Sequence, residues 1–351
     1  MKRLSFRTWL SIITIVLVIV LLYASRHQLE HAWRLLSEVN LWLLALVIPI
    51  TAASYLASGE MIFSYLRQKR LINHLNSWTL MRVSLELNFV NHVLPSGGVS
   101  GVSYLNWRMG KLGVSTSRAT MAQAVRYVAG FAATTTLLAI SVLVVTIDGS
   151  VNRWIILMSS ALVSVMIVAT AGLIYLVKSP ARMHRFASWL EGWVNQMASK
   201  MTHGKKPQLI NIETLNVFLD DMHDDYLSLS QDKRVLIQPY LWGLAFTMIE
   251  IALFYVTFLA LGSVVNPASI LIAYGLASLT GFAVVTPGGA GAYEAVMVMV
   301  LATAGIREGQ AIAGIVLARV IILLVTIVLG YLFYQLTLMK YGKRDTSETD
   351  R

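Results

Sequence analysis

The sequence predicts an all-α polytopic membrane protein with about six full transmembrane helices plus two oppositely oriented re-entrant helical hairpins in an inverted repeat. Three observations predict it. The 351 residues are 56% hydrophobic and 13% charged, with a mean hydropathy of +0.66. A soluble domain has about 45–50% apolar residues and about 25% charged ones. Two apolar regions are broken by Leu94-Pro-Ser-Gly-Gly-Val-Ser-Gly101 and Thr286-Pro-Gly-Gly-Ala-Gly-Ala-Tyr-Glu294. Finally, the Lys and Arg residues are partitioned 21 to 4 between alternate loops, out of 28 in all. Short loops with excess basic residues stay on the cytoplasmic side, so this partition sets the orientation.

Taken in order, the single membrane domain of residues 1–351 begins with an apolar stretch at 8–25 behind Lys2, Arg3 and Arg7. It is longer than a signal peptide's apolar core, and Leu22-Tyr-Ala-Ser25 is a poor cleavage site, so an uncleaved first span is expected. A polar segment, Ser25 to Asn40, follows.

Residues 41–147 form the first repeat. A span from Leu41 to Leu66 leads into a hairpin at 78–110, whose Arg82, Glu86, Asn88, Asn91 and His92 suit lipid poorly. Basic residues precede it, and Arg108 and Lys111 close its return limb. A segment entering and leaving by one face explains basic loops at both ends. A full span from Ala119 to Ile147 completes the unit, and 154–177 is a linking span.

Residues 178–236 are the one sizeable aqueous segment. Phe186, Trp189, Leu190, Trp193 and Met197 recur at helical spacing, as in a helix lying on a membrane surface. A second amphipathic pattern through Ile212, Leu215, Leu219, Met222, Tyr226 and Leu229 places Asp220, Asp221, Asp224 and Asp225 on its wet face.

Residues 237–338 form the second repeat: a span from Ile237 to Gly262, a hairpin at 269–305, an outer turn at Arg307 and a span from Gln310 to Leu338. The limbs Ser269 to Val285 and Ala290 to Thr303 reach roughly 25 and 21 Å as helices. The hydrocarbon core is about 30 Å thick, which favours two half-helices meeting at an elbow. Residues 339–351 are a basic cytoplasmic tail. Inverted repeats of this kind are a signature of secondary transporters, with substrate held near the midplane.

The candidate substrate-binding residues follow from this arrangement. Pro95, Gly97 and Gly98 form one elbow, with Asn91 before it; Pro287, Gly288, Gly289 and Gly291 form the other, with Glu294 one turn on. A half-helix starting inside the membrane presents unpaired N–H groups and a positive dipole end, suited to an anion. Arg126 and Arg319 stand at matched places, 31 and 32 residues after Pro95 and Pro287. An Arg at helix centre costs about 2.5–3.5 kcal/mol to insert, so it needs a partner or a task. One reading pairs these arginines with Glu250 or Glu294; the other has them grip a phosphate through charge and a planar fork of donors. Glu60 and Glu86 are weaker candidates.

The absence of cysteine excludes disulfides, thiolate metal sites and cysteine nucleophiles, and the seven histidines have no metal-ligand spacing. No catalytic residue, metal site or cofactor is expected, and no nucleic acid: the net charge of +10 comes from loops at span ends.

The Pro-x-Gly-Gly hairpin near residue 95, the Ala-x-x-Arg helix after it, and Thr-Pro-Gly-Gly-x-Gly-x-x-Glu at 286–294 resemble the transmembrane flippase-like domain of lysylphosphatidylglycerol synthase/flippases and its stand-alone relatives. The resemblance covers most of the chain. It implies a multi-pass protein of the bacterial cytoplasmic (inner) membrane, with both termini cytoplasmic, that moves a lipid between leaflets. The synthase members carry a cytosolic aminoacyl-transferase domain, and none is present in these 351 residues, so a stand-alone member is expected and lysyl transfer is not implied.

The expected function is a lipid translocase, not an enzyme, handling a phosphate-bearing head group of a membrane phospholipid or a lipid-linked phosphate such as a polyprenyl phosphate. Two alternatives stay open, an ion- or proton-coupled transporter of a small solute and a membrane-bound lipid-phosphate enzyme. A homo-oligomer also stays open.

Overall fold

The computed structural model describes residues 26–35, 39–93, 99–148, 153–201, 231–283 and 291–341, with isolated positions between 16 and 23 and between 216 and 227. Among the described residues there is no strand. Helix α1 is Arg26–Leu35, inside the segment read from sequence only as polar, and it packs against α12, introduced below. Helix α2, Leu41–Ala45, is capped by Asn40, whose side-chain oxygen accepts from the N–H groups of Trp42 and Leu43 at 3.1 and 3.2 Å. It runs directly into α3, Val47–Gln68.

The first helix pair is α4, Ser77–Val93, and α5, Val99–Gly110. Helix α6, Thr116–Asp148, is followed by α7, Arg153–Val177, and the surface helix α8, Pro180–Met201. A short 3-10 turn at Lys233–Leu236 opens α9, Ile237–Ala260. The second pair is α10, Pro267–Ala283, and α11, Ala292–Thr303. Helix α12, Glu308–Val325, passes through a π-helical turn at Thr326–Gly330 into α13, Tyr331–Tyr341.

Among the described residues, five stretches are long and apolar enough to cross a bilayer: Leu41–Gln68, Thr116–Ser141, Ser160–Val177, Lys233–Ala260 and Glu308–Tyr341. The span expected at 8–25 lies almost wholly outside the described residues. So do the elbows at 94–98 and 284–290, and with them Pro95, Gly97, Gly98, Pro287, Gly288 and Gly289. The limbs α10 and α11 hold 17 and 12 residues, about 25 and 18 Å of helix, short of a bilayer's thickness.

The two halves pack in one pattern used twice. Helices α3 and α9 cross each other at the centre. Helix α9 packs on α6, the last helix of the first half, and α3 packs on α12, the last of the second. Likewise α4 packs on the π turn and α13, and α10 packs on α6.

Individual contacts obey the 192-residue shift that carries Pro95 onto Pro287. Tyr55 Oη is hydrogen-bonded to Thr326 Oγ1, and the same shift maps these positions onto Thr247 and Thr134, whose hydroxyls lie 3.3 Å apart. Gly330 lies against Phe89 and the Leu85 carbonyl, a close approach of α4 to the π turn. A Cβ at Gly330 would come within 2.4 Å of Phe89, so only a glycine lets α4 approach the π turn this closely.

Two apolar cores result. One gathers the first turns of α3, the later turns of α9, and α10 to α12 around Phe258, Ile270, Met297 and Leu317. The other gathers the end of α3, the first hairpin and the start of α6 around Phe63, Leu87, Phe89 and Leu105.

Arg108 corrects the sequence reading. It lies within α5 and is only 3% exposed, not in a basic loop. Its Nε donates to Glu86 Oε2 at 3.1 Å, Tyr104 Oη donates to the same oxygen at 2.8 Å, and Thr337 Oγ1 donates to Glu86 Oε1. Glu86 is fully buried. This network locks both limbs of the first hairpin to α13, because a buried carboxylate must have its oxygens satisfied.

Candidate functional site

Between the two cores runs a polar layer. Helix α3 contributes the buried Thr51, Ser54, Tyr55 and Ser58; α6 contributes Arg126 and Thr134; α9 contributes Thr247 and Glu250; α12 and the π turn contribute Arg319 and Thr326. These groups come together because α3 and α9 cross at the centre and pack on α12 and α6.

Glu294 and Arg319 form the best-defined pair. Arg319 Nε donates to Glu294 Oε1 at 2.7 Å, and the Gly291 N–H donates to Glu294 Oε2 at 2.6 Å. The Arg319 guanidinium lies 4.5 Å from the centre of the Tyr293 ring. Gly291 has φ +92°, a conformation that glycine adopts without a Cβ penalty, and it starts α11. Thus Glu294 caps α11 and neutralises an arginine with one carboxylate. The pairing that sequence left open between Glu250 and Glu294 falls to Glu294.

Glu250 accepts instead from Ser54 Oγ, tying α9 to α3, and sits within electrostatic reach of Arg319. Tyr55 is near both charges, and its ring lies 6.0 Å from that of His92 at the end of α4. His92 Nδ1 lies 2.8 Å from the Asn88 carbonyl. Asn91 packs its amide onto Gly101 across the first helix pair, and its Oδ1 is buried with no hydrogen bond among the described residues.

Arg126 differs from Arg319. No carboxylate pairs with it among the described residues; its guanidinium lies 5.8 Å from the centre of the Tyr127 ring. It borders a cavity of about 160 Å3 shared by α3, α6, α7, α9 and α10, with Thr134, Tyr274 and Ser278 as polar neighbours. With no hydrogen bond to it among the described residues, this guanidinium can offer donors to an oxyanion.

The structure thus brings Glu250, Glu294 and Arg319 into one layer with Arg126, and holds Asn91 at the hairpin's packing face. Sequence reasoning missed Ser54, Tyr55, Thr326, Thr134 and Thr247. Single hydroxyls in apolar helices carry no periodic signal; only superposing the two halves of the sequence would have paired Tyr55 with Thr247. Among the described residues no group of three His, Asp or Glu side chains is placed to hold a metal ion.

Comparison with known sequences agrees with this architecture. The family described as Lysylphosphatidylglycerol synthase TM region matches residues 8–330. The chain belongs to this family. A UPF0104 membrane protein of Methanothermobacter thermautotrophicus is 26% identical over 237 residues, which cover 66% of this chain and 67% of that protein. Within the lysylphosphatidylglycerol synthase TM-region family, then, this chain is a multi-pass membrane protein.

Proposed function

We propose that the protein moves a phosphate-bearing lipid between the leaflets of a cytoplasmic membrane and leaves it chemically unchanged. The observation that carries this reading is Arg126: a cation at membrane depth, beside a cavity, with no carboxylate to neutralise it among the described residues. Its counterpart Arg319 is neutralised by Glu294. The first arginine is therefore available to a phosphate, while the second sets the start of α11.

In this reading both helix pairs are re-entrant, one from each face. In the same reading both termini are cytoplasmic, which the basic loops support. The head group crosses through the polar layer while its acyl chains stay in lipid. Support comes from the twice-used packing pattern, the polar layer between two cores and the family membership.

The testing experiment is fluorescent phospholipid translocation in proteoliposomes, run with and without a pH gradient, with the lipid recovered for chemical analysis. Faster transfer of intact lipid than in protein-free vesicles supports the proposal. No acceleration, or a changed lipid, contradicts it.

A further inference from the structure

A separate groove of about 1090 Å3 opens where α3 ends and where α4 and α9 begin. By the distribution of basic residues this is the cytoplasmic end. Glu60 and Arg67, two turns apart on α3, pair with each other on its wall rather than in either core, and both stay partly exposed. Trp78 of α4 and Trp242 of α9 also line it. Tryptophan favours the depth of lipid head groups, where one edge is wet and the other apolar. Leu56, Phe63 and Leu241 supply an apolar wall.

The other half of the molecule buries the helix positions equivalent to the start of α4. Shifted by 192 positions, Trp78 corresponds to Ile270, Met81 to Ala273 and Glu60 to Ala252. Trp78 is 54% exposed, whereas Ile270 and Ala273 are fully buried in the apolar core. The two halves share a packing pattern but not the exposure of Trp78, and the positions equivalent to Glu60 and Arg67 are the uncharged Ala252 and Leu259. Packing symmetry alone does not account for it.

We propose that this groove seats a zwitterionic aminophospholipid of the cytoplasmic leaflet, its phosphate on Arg67 and its ammonium on Glu60. The charges decide the class. An anionic head group would satisfy Arg67 but bring its phosphate against Glu60, and a cationic one would do the reverse. A head group with one phosphate and one primary ammonium replaces both halves of the ion pair. A trimethylammonium has no N–H to donate to the carboxylate, so choline lipids bind less well. The inference rests on the translocation reading only in treating the seated lipid as cargo.

The test uses the delipidated full-length protein in detergent, titrated with phosphatidylethanolamine, phosphatidylcholine and phosphatidylglycerol, and read by native mass spectrometry. Phosphatidylethanolamine is expected to bind about tenfold more tightly than the other two, the worth of one additional charge-assisted hydrogen bond. Glu60→Gln should remove that preference. The double variant Glu60→Gln/Arg67→Gln leaves no unpaired charge to unfold the protein and should lose it as well.

Equal binding of the three lipids by the unaltered protein, or a preference that survives the double substitution, overturns the proposal. Proteoliposome transport with the same variants keeps the two readings apart. Selective binding without translocation supports the groove and contradicts the transport reading; translocation without selective binding does the opposite.

Discussion

Arg319 and Glu294 hold the second hairpin to its following helix: one 2.7 Å ion pair joins α12 to the first turn of α11, and the same carboxylate caps that turn at Gly291. Removing either partner strands the other charge inside the protein. Arg319→Gln or Glu294→Gln is expected to destabilise by about 3–5 kcal/mol. The double variant should recover much of that loss. Thermal unfolding in detergent at matched protein amounts checks this; a double variant no more stable than the singles contradicts it.

Gly291 has φ +92°, and a side chain there is strained whatever space surrounds it. Gly291→Ala is expected to destabilise by about 1–3 kcal/mol. Gly309, near the start of α12 with open space around its Cβ position, should tolerate Ala or gain slightly from it. The same unfolding measurement compares the two. Equal effects would remove the backbone argument.

The Glu86 network gives a sharper contrast within the first hairpin. Glu86→Ala leaves Arg108 buried without its carboxylate and should cost about 3–5 kcal/mol. Tyr104→Phe removes one of several donors to that carboxylate and should cost about 1 kcal/mol. The fraction of protein recovered folded by size-exclusion chromatography, together with the unfolding temperature, checks the ordering.

Much of the fold was legible in the sequence because hydropathy and helix breakers act locally. The limb expected from Trp78 to Val93 is Ser77–Val93, and the one expected from Ser269 to Val285 is Pro267–Ala283. The π turn at Thr326–Gly330 was not legible, since Thr-Ile-Val-Leu-Gly reads as ordinary apolar helix. Arg108 was misplaced because, beside Lys111, it looks like a loop charge. Its carboxylate partner is 22 residues away across the hairpin, a relation that no local pattern carries. In the site, charged residues stood out against apolar helices. Which arginine had a partner was not legible, because it depends on how α11 meets α12.

Topology can be tested in the naturally cysteine-free chain. Lys111→Cys should resist an impermeant thiol reagent applied from outside, and Glu308→Cys should react. This is the outcome expected from the proposed topology, in which each hairpin enters and leaves by one face and the basic loops lie inside. Labelling at 111 without labelling at 308 would reverse the orientation and undo the inverted arrangement.

The most direct measurement of the central claim is the proteoliposome translocation rate of Arg126 variants, with a fluorescent phospholipid and a neutral fluorescent glycolipid compared side by side. Loss of a charge-assisted hydrogen bond to phosphate predicts that Arg126→Gln slows phospholipid transfer by about tenfold to a hundredfold. Arg126→Lys should keep part of the rate, because it retains charge without the planar fork. Glycolipid transfer, having no phosphate to lose, should not fall in step. Unchanged phospholipid transfer in a well-folded Arg126→Gln protein would contradict the account.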